Sequence, residues 1–258
     1  MPFARIERSP LSSRAPIDLY YRDLGSGAPL LVLHGGWGYE FYPYDHAIAS
    51  LRHRFVIPDR TGYGKSPHIE RLPPGFHTGY AIESEAFLDA LGITRCALWG
   101  HSDGALIAAN MALRYPERYS AMVLEALHLD REKPRSRDFF LQMTNDPDSF
   151  GEKVTRRLAA EHGDDYWRTI VAADGKAWLD IAATPAEDFF EGSLSALKVP
   201  TLVVQGELDP RTEPGELDRI RPVAQVEIIA GAGHSPHSER EHAAKCTAIV
   251  ESFLAANA

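Results

Sequence analysis

Short apolar segments alternate with helically spaced segments along the first half of the chain. Strands are predicted at 17–25, 29–35, 55–59, 94–100 and 119–127, where apolar residues either alternate with polar ones or run continuously. Segments 78–92 and 102–116 have the spacing of helices, and they end at a glycine and a proline respectively. This order of elements, with nearly continuous apolar strands, predicts a parallel sheet covered by helices on both faces.

The pattern changes after residue 129. From 130 to 197 no strand is predicted, and the charged, helix-like sequence is rich in aromatic residues. Strands resume at 201–206 and 224–230, and a last helix is predicted over roughly 239–256. We therefore expect a core domain formed by 1–129 and 198–258, interrupted by a helical insertion. Because the insertion leaves from a strand end, where open α/β sheets bind ligands, a cap over that site is favoured over a satellite lobe.

Composition and charge exclude several classes of function. The chain has 258 residues, 44% of them hydrophobic, which suffices for one core carrying an inserted subdomain. The formal net charge of -9 and the lack of a basic run argue against a nucleic-acid partner. The N-terminus lacks the apolar core of a secretory signal, and no segment reaches the roughly 18 apolar residues of a membrane span. Cys96 and Cys246 lie in apolar patterns and are expected to be packed and reduced, so we expect a cytoplasmic protein without a membrane partner.

Ser102 stands in the segment GHSDG, which fits the pattern G-x-S-x-G between a predicted strand and a predicted helix. That setting is the one a nucleophile elbow requires. We expect side chains at Gly100 and Gly104 to collide with neighbouring backbone in so sharp a turn. The helix N-terminus also favours negative charge developing near the serine. The alternative is an ordinary helix N-cap serine.

A serine nucleophile needs a base that is itself oriented by an acid, and in this setting the chain order is Ser, acid, His. Asp209 follows the predicted strand 201–206, and His234 lies in a glycine-rich loop after 224–230. Both positions are strand C-termini, the same edge as Ser102. The sequence therefore predicts Ser102, Asp209 and His234 as a catalytic triad.

Other residues compete for two of these roles. Glu207 and Glu125 are alternative acids, and His237 is an alternative base. For Glu207 and His237 we favour solvated polar groups in a loop or at a helix start. We interpret His34 and His101 as hydrogen-bonded structural histidines beside the sheet.

The segment HGGWG, residues 34–38, follows a predicted strand and is a candidate oxyanion loop. Acyl transfer needs donors aimed at the developing oxyanion. Gly36 is the preferred loop donor and Trp37 the next, and the backbone N–H of Asp103 supplies the second donor. The alternative is a plain strand-to-helix turn.

Two patterns resemble other sites and are set aside. The segment DRTGYGKS lacks the first glycine of a phosphate-binding loop, because Asp59 stands there. A metal cluster could be drawn from His234, His237, Glu239 and His242, but the triad explains His234 better. We predict neither a metal nor a cofactor.

In order along the chain, LVLHGGWG, PDRTGYGKS, LWGHSDG, PTLVVQGELD and GAGHSPH resemble conserved segments of the α/β-hydrolase superfamily. The resemblance implies the α/β-hydrolase fold: a mostly parallel eight-stranded sheet with helices on both faces and an inserted helical cap. It implies a serine hydrolase in which Ser102 forms an acyl-enzyme, His234 acts as base and then acid, and Asp209 orients His234. The implied partner is a small ester-like substrate, and the chain would be a monomer or homodimer.

The residues of the nucleophile elbow indicate which branches of the superfamily this chain resembles. Epoxide hydrolases and haloalkane dehalogenases carry Asp at the nucleophile, and this chain carries Ser102. The segment SDG is similar to the branch containing valacyclovir hydrolase, where an Asp at this position contacts the substrate ammonium. A bare Asp103 carboxylate about 5 to 6 Å from an oxyanion would oppose it by about 3 kcal/mol. We therefore expect Asp103 to be turned away, paired within the protein or paired with a cationic substrate, and the structural options are favoured.

The sequence thus predicts hydrolysis of a small carboxylic ester, lactone or thioester. The candidate substrate-binding residues are Trp37, Asp103, His128, Phe139, Phe140, Trp167 and Trp178. For the aromatic residues of the insertion, packing within the cap's own core is the favoured use. A carbon–carbon bond hydrolase or cofactor-free perhydrolase with the same triad is the alternative, although those enzymes usually carry Met after the nucleophile. A non-catalytic ligand-binding protein is the alternative of another class.

Overall fold

A computed structural model describes residues 2–185, 188–190 and 192–257. The strands are β1 (Phe3–Ile6), β2 (Ile17–Gly25), β3 (Ala28–Leu33), β4 (His53–Pro58), β5 (Cys96–His101), β6 (Tyr119–Glu125), β7 (Thr201–Gly206) and β8 (Gln225–Ile229). They form one sheet in the order β1-β2-β4-β3-β5-β6-β7-β8. Strand β2 pairs antiparallel with β1 and β4, and the remaining neighbours are parallel. The predicted mostly parallel, eight-stranded sheet is confirmed.

Helices cover both faces of this sheet. The helices on the faces are α1 (Asp45–Ser50), α2 (Phe76–Ala90), α3 (Asp103–Arg114) and α7 (Ala243–Ala256), and those of the insertion are α4 (Arg137–Asn145), α5 (Glu152–His162) and α6 (Trp167–Ala182). Helices α2 and α3 pack together on one face, and α1 and α7 pack together on the other. Along β3, Leu31 and Leu33 belong to the first core and Leu30 and Val32 to the second. A strand buried on both faces reads as a continuous apolar run, which is why the sequence revealed it.

Three local expectations differ from the structure. Strand β1 and helix α1 were not predicted, because four and six residues are too few to show a period. Strand β1 is held by its antiparallel register with β2, in which Phe3 lies opposite Tyr20. The last helix begins at Ala243 rather than near 239.

The insertion between β6 and β7 contains α4, α5, α6 and short 3-10 turns, with no strand among its described residues. Helices α4 and α6 pack through Phe140 and Trp178, whose rings stack with centroids 5.4 Å apart. The insertion reaches the loops that follow β3 and β5, because His162 contacts the Trp37 carbonyl and Trp178 contacts Asp103. It therefore covers the C-terminal edge of the sheet. Within the described ranges, no helix has the length and apolar character needed to cross a bilayer.

Candidate active site

Ser102 occupies a strained turn between β5 and α3. Its φ of 56° lies in the left-handed region that non-glycine residues rarely adopt. A Cβ at Gly100 would lie 2.1 Å from the Gly104 carbonyl oxygen, and a Cβ at Gly104 would lie 1.9 Å from that of Leu33. Both glycines are therefore required by close backbone approach, as the sequence predicted. The Ser102 side chain makes no capping hydrogen bond to α3, so the N-cap alternative has no contact to support it.

Asp209 and His234 meet at the same edge of the sheet. His234 Nδ1 donates to Asp209 Oδ2 at 2.9 Å. The carboxylate also accepts from Gln205 Nε2 at 2.6 Å and from the Arg211 backbone N–H at 2.9 Å. Burial opposes ionisation of Asp209, but the charge and hydrogen bond of His234 outweigh it and hold the pKa well below its usual range. Asp209 is thus an anion that fixes the imidazole.

The loop that carries His234 is held by a carboxylate. Glu239 accepts hydrogen bonds from the backbone N–H groups of Gly233 at 2.9 Å and Ser235 at 3.1 Å. Burial, followed by the nearby Arg211 charge, lowers the pKa of His234 despite its bond to Asp209. The imidazole is therefore neutral at pH 7 and able to accept a proton.

The competing residues have other partners. Glu125 is buried and accepts from Trp99 Nε1 at 3.0 Å and from His237 Nδ1 at 2.8 Å. The interpretation of His237 as a solvated group is wrong, because its ring is buried and stacks 3.9 Å from the Tyr44 ring. Glu207 is exposed, as expected of a loop acid. Of these acids, Asp209 is the one bonded to His234.

His34 and His101 have the contacts expected of structural histidines. His34 Nδ1 donates to the Gly35 carbonyl at 2.8 Å, and its Nε2 accepts from the Arg60 backbone N–H at 3.3 Å. His101 Nε2 lies 2.9 Å from Ser235 Oγ. Both rings are buried beside the sheet.

Gly36 and Asp103 line one cavity together with Ser102 and His234. The loop of Gly36 is held from the cap, because His162 Nε2 donates to the Trp37 carbonyl at 3.1 Å. The structure thus brings the candidate oxyanion loop beside the candidate nucleophile, with a cap histidine bracing it.

Most of the predicted substrate-binding residues line this cavity. They are Trp37, Asp103, His128, Phe139, Phe140 and Trp178. Trp167, for which packing was the favoured use, is not among the described residues that line the cavity. It is buried in the hydrophobic cluster that joins the cap to the core, so its role is packing.

Asp103 is paired within the protein. Its Oδ1 accepts from His77 Nε2 and from Trp178 Nε1, each at 3.1 Å. Burial opposes its ionisation, but the His77 hydrogen bond and nearby positive charge hold the pKa below its usual range. The cap therefore contributes one of the two donors that keep this carboxylate charged.

Asp174 is a second carboxyl group in the cavity that sequence reasoning missed. A Cβ on Gly36 would lie 2.2 Å from Asp174 Oδ2 and 2.9 Å from Asp103 Oδ2, so the glycine leaves room for both side chains. Asp174 Oδ1 is buried without a hydrogen-bond partner in the described structure. Burial, followed by the Asp103 charge, raises the Asp174 pKa well above its usual range and so favours the neutral carboxyl. The sequence feature that could have identified Asp174 is an acidic residue within an apolar helical pattern.

His128, predicted to line the cavity, also contacts the candidate nucleophile Ser102. Its Nε2 is 3.4 Å from Ser102 Oγ. Its ring is nearly parallel to that of His234, with an interplanar angle of 16° and centroids 5.8 Å apart. Both imidazoles therefore line the cavity that contains Ser102.

Comparison with known proteins identifies relatives along most of the chain. Residues 30–246 match the sequence profile described as the Alpha/beta hydrolase family. The sn-1-specific diacylglycerol lipase ABHD11 of Xenopus laevis is 26% identical, over 88% of this chain and 81% of that protein. The serine hydrolase BPHL of Mus musculus is 29% identical, over 75% of this chain and 68% of that protein.

Solved structures give the same picture of the fold. A thermophilic esterase from Thermogutta terrifontis has a TM-score of 0.74 to this chain, with 98% of each chain covered. The two sequences are 21% identical, so this likeness concerns the fold alone.

Proposed function

The chain belongs to the alpha/beta hydrolase family and is a hydrolase, and on this premise we propose that it cleaves a small carboxylic ester, lactone or thioester through an acyl-enzyme. The observation that carries the proposal is the His234–Asp209 hydrogen bond beside a serine held in a strained elbow. The relatives named as a lipase and a serine hydrolase are consistent with this reaction. Location in the cytoplasm and a monomeric or homodimeric state remain predictions.

In the proposed acylation step, Ser102 Oγ attacks the substrate carbonyl carbon while its proton passes to His234 Nε2. Asp209 stays ionised and stabilises the imidazolium that forms. The backbone N–H groups of Gly36 and Asp103 bind the oxyanion, with Trp37 N–H as the alternative loop donor. His234 then returns the proton to the leaving alcohol, and an ester bond joins the acyl group to Ser102.

Deacylation repeats these steps with water. His234 takes a proton from a water molecule, and the resulting hydroxide adds to the acyl carbon. When the tetrahedral intermediate collapses, the bond from carbon to Ser102 Oγ breaks and Oγ recovers a proton from His234. The carboxylic acid leaves, and the enzyme returns to its starting state.

Asp103 links the reaction to substrate choice. Its Oδ1 is occupied by His77 and Trp178, which supports a structural role, whereas its Oδ2 lies near Gly36 in the cavity. As a finer hypothesis, this second oxygen binds an ammonium group of the substrate. Aminoacyl and neutral esters of matched size distinguish the two roles.

The proposed function is tested with p-nitrophenyl esters, lactones and aminoacyl esters, using the wild type and Ser102→Ala. We expect at least one substrate whose turnover falls by about 10⁴-fold or more in the variant, because the nucleophile is removed. A fluorophosphonate should label the wild type at Ser102. A folded wild type that never labels, and shows no Ser102-dependent turnover, would support a binding protein instead. Turnover confined to carbon–carbon bond substrates or peroxide chemistry would favour those alternatives.

A further inference from the structure

In the described structure, Ser102 Oγ is hydrogen-bonded to His128 and not to His234. His128 follows the C-terminal end of β6, whereas His234 follows β8, so the two imidazoles reach the serine from different loops. The triad accounts for His234 and leaves His128 without a role.

His128 is held in a neutral state. It is 3% exposed, and burial, followed by the charge of Lys133, lowers its pKa well below the usual value. Lys133 is itself paired with Glu216. The ring therefore neither accepts nor releases a proton near pH 7, and its contribution to the reaction is a fixed hydrogen bond.

The position of the ring proton follows from the contacts of the two nitrogens. Nδ1 of His128 is buried and has no hydrogen-bond partner within the described ranges. A buried N–H without an acceptor is rarer in proteins than a buried acceptor without a donor. The favoured tautomer thus carries its proton on Nε2, the nitrogen that faces Ser102 Oγ at 3.4 Å. Such contacts are often long in a free enzyme and shorten as charge develops.

We propose that His128 is a catalytic hydrogen-bond donor to Ser102 Oγ that acts when this oxygen leaves the acyl group. The proposal rests on the proposed function. Attack by Oγ and departure of Oγ pass through the same partial charge on this oxygen, so the two steps differ only in their starting states. The hydroxyl of free Ser102 already accepts the hydrogen bond, whereas the ester oxygen of the acyl-enzyme is a weaker acceptor. The donor therefore lowers the barrier to deacylation more than the barrier to acylation.

During deacylation the same contact is favourable. The bond between the acyl carbon and Oγ breaks, its electron pair stays on Oγ, and the proton comes from His234. His128 Nε2–H stabilises the negative charge on Oγ as it builds and keeps its own proton throughout. Because hydrogen bonds to charged groups are stronger than neutral ones, we expect the loss of this donor to slow deacylation by about ten- to hundred-fold.

The test compares His128→Phe, which keeps an aromatic ring without the donor, with His128→Gln, which keeps an N–H. His53→Phe is the control, since His53 begins β4 at the opposite edge of the sheet. With a p-nitrophenyl ester, we expect His128→Phe to lower kcat by about ten- to hundred-fold while kcat/KM stays within about three-fold. A burst of p-nitrophenol and an acyl-enzyme mass on Ser102 should appear, and that mass should decay more slowly than in the wild type. His128→Gln should restore part of the deacylation rate.

Labelling of each variant by a fluorophosphonate at the wild-type rate verifies that the elbow is intact. The proposal is overturned if the acyl-enzyme of His128→Phe decays as fast as that of the wild type. It is also overturned if kcat and kcat/KM fall together without acyl-enzyme accumulation in both His128 variants. A wild type with Ser102-dependent turnover and an unaffected His128→Phe would refute this role alone. A wild type without such turnover would refute the proposed function and this role together.

Discussion

The two walls of the cavity are built on different principles. The core wall consists of loops at strand C-termini, and the carboxylate of Asp209 has bonded partners on both oxygens. The cap wall consists of aromatic side chains on α4 and α6 together with Asp174, whose Oδ1 is buried without a hydrogen-bond partner among the described residues. The sheet therefore fixes the reacting groups. The cap shapes the cavity and contributes a buried carboxyl group, that of Asp174. Changes on the core wall should alter the rate, and changes on the cap wall should alter selectivity and pH-dependent stability.

The largest effect is expected on the core wall, from Asp209→Asn. An amide at this position favours the wrong tautomer of His234 and gives no charge to stabilise the imidazolium. We expect kcat to fall by about 10³- to 10⁴-fold, measured on any ester that the wild type turns over. Glu207→Gln is the matched control, because Glu207 is an exposed acid on the same loop. A loss of similar size in both variants would contradict the assignment of Asp209.

The core wall could be predicted because its signals are local. Ser102, Asp209 and His234 each follow a strand that the apolar pattern reveals, and glycines mark the sharp turns. The parallel sheet then brings strand ends to one edge, so chain order alone places the three residues together. The same reasoning explains why the mostly parallel sheet was predicted and the four-residue β1 was not.

The cap wall could not be predicted because its contacts are long-range. His162 braces the Trp37 carbonyl from 125 positions away, and no sequence pattern indicates that pairing. The proximity of Asp174 to Gly36 depends in the same way on how α6 crosses the edge of the sheet. His237 shows the same limit within the core, since its burial depends on long-range contacts with Tyr44 and Glu125.

A smaller effect is expected from Asp103→Asn, because Asp103 is bonded to both walls through His77 and Trp178. If the carboxylate only organises the cavity, we expect an equal loss of about ten-fold in kcat/KM on an aminoacyl ester and a matched neutral ester. An additional loss of about ten-fold or more on the aminoacyl ester would show that the substrate ammonium is recognised here. An equal loss on both esters would refute that recognition and leave the structural role.

The smallest effect is expected at Glu161, another buried acid of the cap. Its Oε1 accepts from the Glu40 backbone N–H at 3.0 Å, and its Oε2 has no hydrogen-bond partner among the described residues. Burial raises the Glu161 pKa from 4.5 to about 8, so the native state holds a proton that the unfolded state releases at lower pH. Its contribution to folding stability is fully present below about pH 4.5 and is lost as the pH rises to about 8.

Glu161→Gln removes this titration while keeping an oxygen that can accept from Glu40. Relative to the wild type, the variant should therefore gain about 1–3 kcal/mol in free energy of unfolding between pH 5 and pH 8, measured by urea denaturation. A pH-independent effect of the amide on the free energy of unfolding is the same at pH 5 and pH 8, so it cancels in this comparison. Glu152→Gln, at an exposed position of the same helix, is the control. Asp209 should behave in the opposite way, because its lowered pKa gives stability that is lost on acidification. A flat difference for Glu161→Gln across this pH range would show that burying the Glu161 carboxyl does not destabilise the folded state.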